Sequence, residues 1–102
     1  MDAQIKDRID NLVREHKVFL FMKGQKGEPQ CTFSSVADAI LQHVGADYET
    51  FNVLEDPEIR QGIKDYSDWP TIPQLYINGE FVGGSDIMQE LFQSGELKTM
   101  IQ

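Results

Sequence analysis

The stretch Lys17-Val18-Phe19-Leu20-Phe21-Met22 narrows the fold more than any other. It is short, nearly continuously apolar, and rich in β-branched and aromatic residues. A run without polar alternation reads as a strand buried on both faces. The chain must then supply a covering layer on each side of that strand, and its helical periodicities do so. Ile5, Ile9, Leu12 and Val13 recur at i, i+4, i+7 and i+8, which predicts a first helix starting near Asp2. Phe33, Val36, Ala37, Ile40, Leu41 and Val44 form one stripe of a second helix, closed by Gly45. Asp56-Pro57 suits the cap and first turn of a third, carrying Ile59, Ile63 and Tyr66.

Further strands are predicted at Tyr48–Val53 and in Gln74–Ile77 and Glu80–Val82, the last two joined by Asn78-Gly79. A two-residue Asn-Gly connection between apolar runs is a strong hairpin signal. Gly83-Gly84 then leads into a last helix with Ile87, Met88, Leu91 and Phe92. The order αβαβαββα combines a parallel pair joined through a helix with an antiparallel hairpin. It predicts an α/β fold with a four-stranded mixed sheet and helices on both faces. With 102 residues, 40% of them hydrophobic, the chain suits one small domain spanning 1–102.

No segment is long enough to span a bilayer, and the start Met1-Asp2-Ala3-Gln4-Ile5-Lys6 lacks the basic and apolar regions of a secretory signal. The net charge of −8 argues against nucleic-acid and membrane partners, since both need a basic face. Any anionic ligand must be met by a few placed cations. The single cysteine, Cys31, cannot form an internal disulfide and suits a reducing compartment. The expected location is therefore intracellular: a bacterial cytoplasm, or an organelle matrix after removal of a transit peptide.

Cys31 follows the polar Gly/Pro-containing loop Lys23–Gln30 and enters the second helix. Unpaired N–H groups and the positive end of the macrodipole favour thiolate over thiol at such a place. Composition alone allows a small buried hydrophobe instead. The loop-to-helix placement favours the reactive thiol.

Met22-Lys23-Gly24, Cys31-Thr32-Phe33-Ser34, Trp69-Pro70-Thr71-Ile72-Pro73-Gln74-Leu75-Tyr76 and Gly83-Gly84-Ser85-Asp86, in this order and spacing, resemble the monothiol glutaredoxins. The similarity runs from about Ile5 to Leu97. It implies a thioredoxin-like fold with Pro73 in the cis form. It also implies glutathione as ligand: Lys23 and Arg60 on the glycine carboxylate, the Ile72 backbone on the cysteine, Ser85 and Asp86 on the γ-glutamyl end. Lys64, one turn after Arg60, either assists or is a solvated surface lysine. Trp69-Pro70 resembles the branch associated with iron–sulfur clusters. That branch holds a [2Fe–2S] cluster in a homodimer, with one protein cysteine per subunit and two glutathiones as ligands, so Cys31 would be both the reactive thiol and the metal ligand.

Thr32 departs from the family pattern Cys-Gly-Phe-Ser. Its β-branched side chain beside the sulfur would either narrow the cluster site or offer a hydroxyl hydrogen bond to it. Ser85 stands where many relatives carry a second cysteine. The resemblance implies a cluster carrier, with apo iron–sulfur proteins as recipients and room for a BolA-type partner. The alternative is a glutathione-dependent thiol–disulfide oxidoreductase with Cys31 as nucleophile; a third reading is a cluster-free, glutathione-binding adaptor.

Overall fold

The computed structural model describes residues 1–102 and places Val18–Met22 (β1) inside a four-stranded sheet. Its neighbours are Tyr48–Asn52 (β4), which is parallel to it, and Gln74–Ile77 (β5), which is antiparallel. Glu80–Gly83 (β6) completes the order β4-β1-β5-β6. Every residue of β1 is buried, as its composition requires. Its side chains alternate between two cores. Val18, Leu20 and Met22 meet Ala37, Ile40 and Leu41 of helix α2 (Thr32–His43), together with Met88 of α4 (Ser85–Ser94). Phe19 and Phe21 meet Ile9 and Val13 of α1 (Ala3–Glu15), and Ile59 and Ile63 of α3 (Pro57–Ser67). The mixed sheet with helices on both faces is thus the structure of the chain.

The local signals act through identifiable bonds. Asp2 caps α1 by accepting from the Gln4 N–H at 2.6 Å, and Asp56 caps α3 by accepting from the Glu58 and Ile59 N–H groups at 3.1 Å. Asn78 and Gly79 have φ of 54° and 79°, both in the left-handed region demanded by a tight hairpin turn. No helix is long and apolar enough to cross a membrane.

Four local expectations need correction. Segment 23–30 is not irregular: Gly24–Gln25 (β2) pairs with Glu28–Pro29 (β3) in a miniature hairpin. Phe33 does not belong to the buried stripe; it is 59% exposed. Side chains lean toward the N-terminus of their helix, so a residue in the first turn of α2 projects past the end of the core. Strand β4 stops at Asn52, because Val53 enters a 3₁₀ turn (Val53–Glu55) into which Asn52 caps the Leu54 N–H at 3.0 Å. A short helix α5 (Glu96–Met100) follows α4; only its Leu97 is buried, too little apolar pattern to signal a helix.

Candidate functional site

Cys31 is the N-cap residue of α2, with extended backbone angles of −151° and 141°, and is half-buried. The Ser34 N–H in the first turn, above all, holds its thiol below the usual range. The Phe33 N–H, the Lys23 charge and the Ser34 hydroxyl add to this, while burial opposes it. The sulfur makes no capping hydrogen bond, so the first-turn N–H groups act on it as nearby dipoles, together with the Lys23 charge.

The hollow beside Cys31 has a volume of about 250 Å³ and is lined by Lys23, Cys31, Phe33, Arg60, Lys64, Pro70, Thr71 and Ile72. A second hollow, of about 190 Å³, shares Phe33, Thr71 and Ile72 with the first and continues to Pro73, Ser85 and Asp86. Together they form one groove. Its thiol end carries three cations, although the chain has 17 acidic residues. The ion pairs of the chain, Lys6–Asp10, Arg8–Asp56 and His16–Asp47, leave all three of these cations unpaired. At the far end, α4 begins at Gly84 with no side-chain cap, so its first-turn N–H groups remain available beside the exposed Asp86. Larger hollows elsewhere, of about 640 Å³ and 360 Å³, contain no lysine, arginine or cysteine side chain. Chemistry, not size, singles out the groove.

The structure therefore brings Cys31, Lys23, Arg60, Ile72, Ser85 and Asp86 to one groove, and it places Lys64 there as well. The Ile72–Pro73 peptide is cis, as expected. Trp69 lies at the Asp86 end, 40% exposed, with its ring 6.1 Å from that of Phe81. Thr32 is exposed.

Two residues that organise the groove escaped the sequence reading. Gln74, fully buried, donates through Nε2 to the carbonyls of Trp69 (3.1 Å) and Thr71 (3.2 Å), fixing the wall that ends at Ile72. Ser34, also fully buried, accepts from the Lys23 N–H at 3.0 Å. The available signal was a polar side chain at a position whose neighbours belong to a core. A buried polar group needs partners, and here the partners are site backbone.

The glutaredoxin family model matches residues 18–82, half of the chain or more and including β1, Cys31 and the wall at Ile72. A protein of Synechocystis sp., described as an uncharacterized monothiol glutaredoxin, is 60% identical over 102 residues, covering all of this chain and 95% of that protein. A monothiol glutaredoxin of Porphyra purpurea is 52% identical with the same coverage. The solution structure of reduced poplar apo GrxS14 superimposes with a TM-score of 0.81 at 53% identity, covering 93% of this chain and 87% of that one. The chain belongs to the glutaredoxin family, in its monothiol class, and its fold is the thioredoxin-like fold of that family.

Proposed function

We propose that the chain binds glutathione in the groove, and that two copies, each with one glutathione, carry a [2Fe–2S] cluster as cargo for apo iron–sulfur proteins. One observation supports this reading most: a lone thiol and three unpaired cations share a continuous groove with an uncapped helix start and Asp86. Glutathione is anionic at its glycine end and zwitterionic at its γ-glutamyl end. Lys23 and Arg60 would receive the glycine carboxylate, with Lys64 beside them. The Ile72 backbone would pair with the central cysteine as an added strand does. The N–H groups of Ser85 and Asp86 would receive the γ-glutamyl carboxylate, and the Asp86 side chain its ammonium.

The donor set fits a shared cluster. No group of three or more His, Cys, Asp or Glu side chains could hold a metal by itself. Cys31 is one accessible thiolate per chain, so a four-thiolate site needs a second chain and two external thiols. In the same way a BolA-type protein could take the place of the second copy. Such chemistry belongs in a reducing compartment, a cytoplasm or an organelle matrix.

The lowered thiol supports a second reading. The Cys31 thiolate would attack the glutathionyl sulfur of a mixed disulfide, forming Cys31–S–S–glutathione and expelling the substrate thiolate. A second glutathione thiolate would then attack that bond, giving oxidised glutathione and restoring Cys31. A rate with a glutathionylated peptide no better than that of Cys31→Ser would remove this activity.

Calorimetric titration with glutathione tests the groove itself. Arg60→Ala should weaken binding by about 1–3 kcal/mol, the loss of a hydrogen bond to a charged group. Lys64→Ala should weaken it less. An unchanged affinity for Arg60→Ala would refute the assignment of the carboxylate end.

A further inference from the structure

The loop between β1 and α2 is fastened from outside at nearly every step. The Lys23 N–H donates to Ser34 Oγ (3.0 Å), the Gly24 N–H to Asn52 Oδ1 (3.0 Å), the Lys26 N–H to Thr50 Oγ1 (3.2 Å) and the Gly27 N–H to Asp38 Oδ2 (3.1 Å). All four acceptors are side chains of α2 or β4, and none lines the groove. The loop is also closed on itself. The Gln30 N–H donates to the Lys23 carbonyl at 2.9 Å, tying Lys23 to the residue before Cys31. Gly24 makes this turn at φ +95°, where an added Cβ would lie 2.5 Å from the Glu28 carbonyl oxygen.

Asp38 holds the tip. It is 3% exposed, on the core side of α2 where packing alone would call for an apolar residue. Burying a carboxylate is costly unless its lone pairs are met, and here they are. Oδ1 accepts from the Tyr48 hydroxyl at 2.6 Å; Oδ2 accepts from Gln42 Nε2 at 3.3 Å and from the Gly27 N–H. Burial, then the contact with Asp38, pushes the Tyr48 phenol up to about 12, so it remains a donor. Lys26 completes the clasp: its Nζ donates to the Tyr48 carbonyl at 2.8 Å and lies 4.3 Å from the centre of the Tyr48 ring.

We infer that Asp38 is a positioning residue for the groove: by clamping the loop tip from behind, it fixes the Lys23 ammonium relative to the Cys31 sulfur. This rests on the reading above in which Lys23 receives the anionic end of the ligand. A hydrophobic residue at 38 would fill the space but release the Gly27 N–H, leaving the segment to find water and Lys23 to move with it.

The ratio of Cys31 alkylation rates by anionic iodoacetate and neutral iodoacetamide tests this. At one pH the ratio cancels the thiolate fraction and reports the potential at the sulfur, which a general loss of stability does not move. Lys23→Gln should lower the ratio about threefold, the effect of removing one partly screened nearby charge. Folded Asp38→Ala should approach the Lys23→Gln value, Asp38→Asn should remain near wild type because its amide oxygen can still accept from Gly27, and Asp38→Ala added to Lys23→Gln should change nothing further. A wild-type ratio in folded Asp38→Ala, or an equal drop in the Lys23→Gln background, would overturn the inference. Should Asp38→Ala fail to fold, Asp38→Leu takes its place: it fills the same space without an acceptor for the Gly27 N–H, and it must lower the ratio or the inference falls. Glutathione calorimetry on the same proteins separates the two readings. If Lys23→Gln binds glutathione like wild type while Asp38→Ala still lowers the ratio, the ligand role of Lys23 fails and the positioning role stands.

Discussion

At the scale of single residues, the chemistry centres on one sulfur. The helix start was legible because a polar loop with Gly and Pro gives way to an apolar stripe just after Cys31, and thiolate stabilisation follows from that placement. Since the folded value is lowered, the thiolate persists to lower pH than in a free cysteine. The rate of iodoacetamide alkylation should therefore inflect clearly below about 8.5, the value of an ordinary thiol. An inflection at or above it would contradict an activated Cys31. In the proposed carrier, Thr32 would act on the cluster rather than on the thiol. It is exposed, and the groups that lower the thiol are Ser34, Phe33 and Lys23, not its hydroxyl. What remains is added bulk and a stiffer backbone at the rim where a second copy would approach. Thr32→Gly should lengthen the lifetime of a reconstituted cluster, followed by its visible absorption, while glutathione affinity stays the same. Equal lifetimes would make Thr32 neutral. Ser34, Asp38 and Gln74 were not legible as organisers, because their partners lie 11 or more residues away or on a loop whose path no local pattern gives.

At the scale of elements, the strands and helices with strong periodicity were readable, and the pieces built from side-chain-to-backbone bonds were not. The Asn78-Gly79 hairpin and the caps at Asp2 and Asp56 carry their own conformational preferences. The miniature hairpin β2–β3 does not: it exists because α2 and β4 supply acceptors for it. Helix α3 ties its cap to Arg60, since Asp56 caps the turn that carries Arg60, and the Arg60 N–H donates to the Asp56 carbonyl at 2.9 Å. Asp56→Ala should cost about 1 kcal/mol of stability at neutral pH, the usual loss for an N-cap, with little more from the exposed Arg8 pair at 2.9 Å. The Ile59 N–H, then Arg8, hold the Asp56 carboxyl below its usual range. Its contribution is thus present above the unfolded value of about 3.9 and is lost as pH falls through the lower folded value. Denaturation of both proteins should show the gap narrowing as the pH falls below the unfolded carboxylate value of about 3.9. A gap independent of pH would mean that the cap is not acting through its charge.

At the scale of the whole molecule, the architecture was legible in the order of elements, because a strand buried on both faces admits few alternatives once a parallel pair and a hairpin flank it. Two copies, each of net charge −8, have no electrostatic reason to associate. In the proposed carrier the reason is chemical: a thiol at the rim of the groove that can complete a four-thiolate site only in partnership. Dimerisation should then depend on cargo and on glutathione together. Anaerobic reconstitution with iron and sulfide, in the presence and absence of glutathione, read by visible absorption and sizing chromatography, tests this directly. The expected result is a coloured dimer holding one [2Fe–2S] unit and two glutathiones per two chains, and a colourless monomer when glutathione is omitted or Cys31 is replaced by Ser. A colourless monomer in full reconstitution, or a cluster that forms without glutathione, would contradict it.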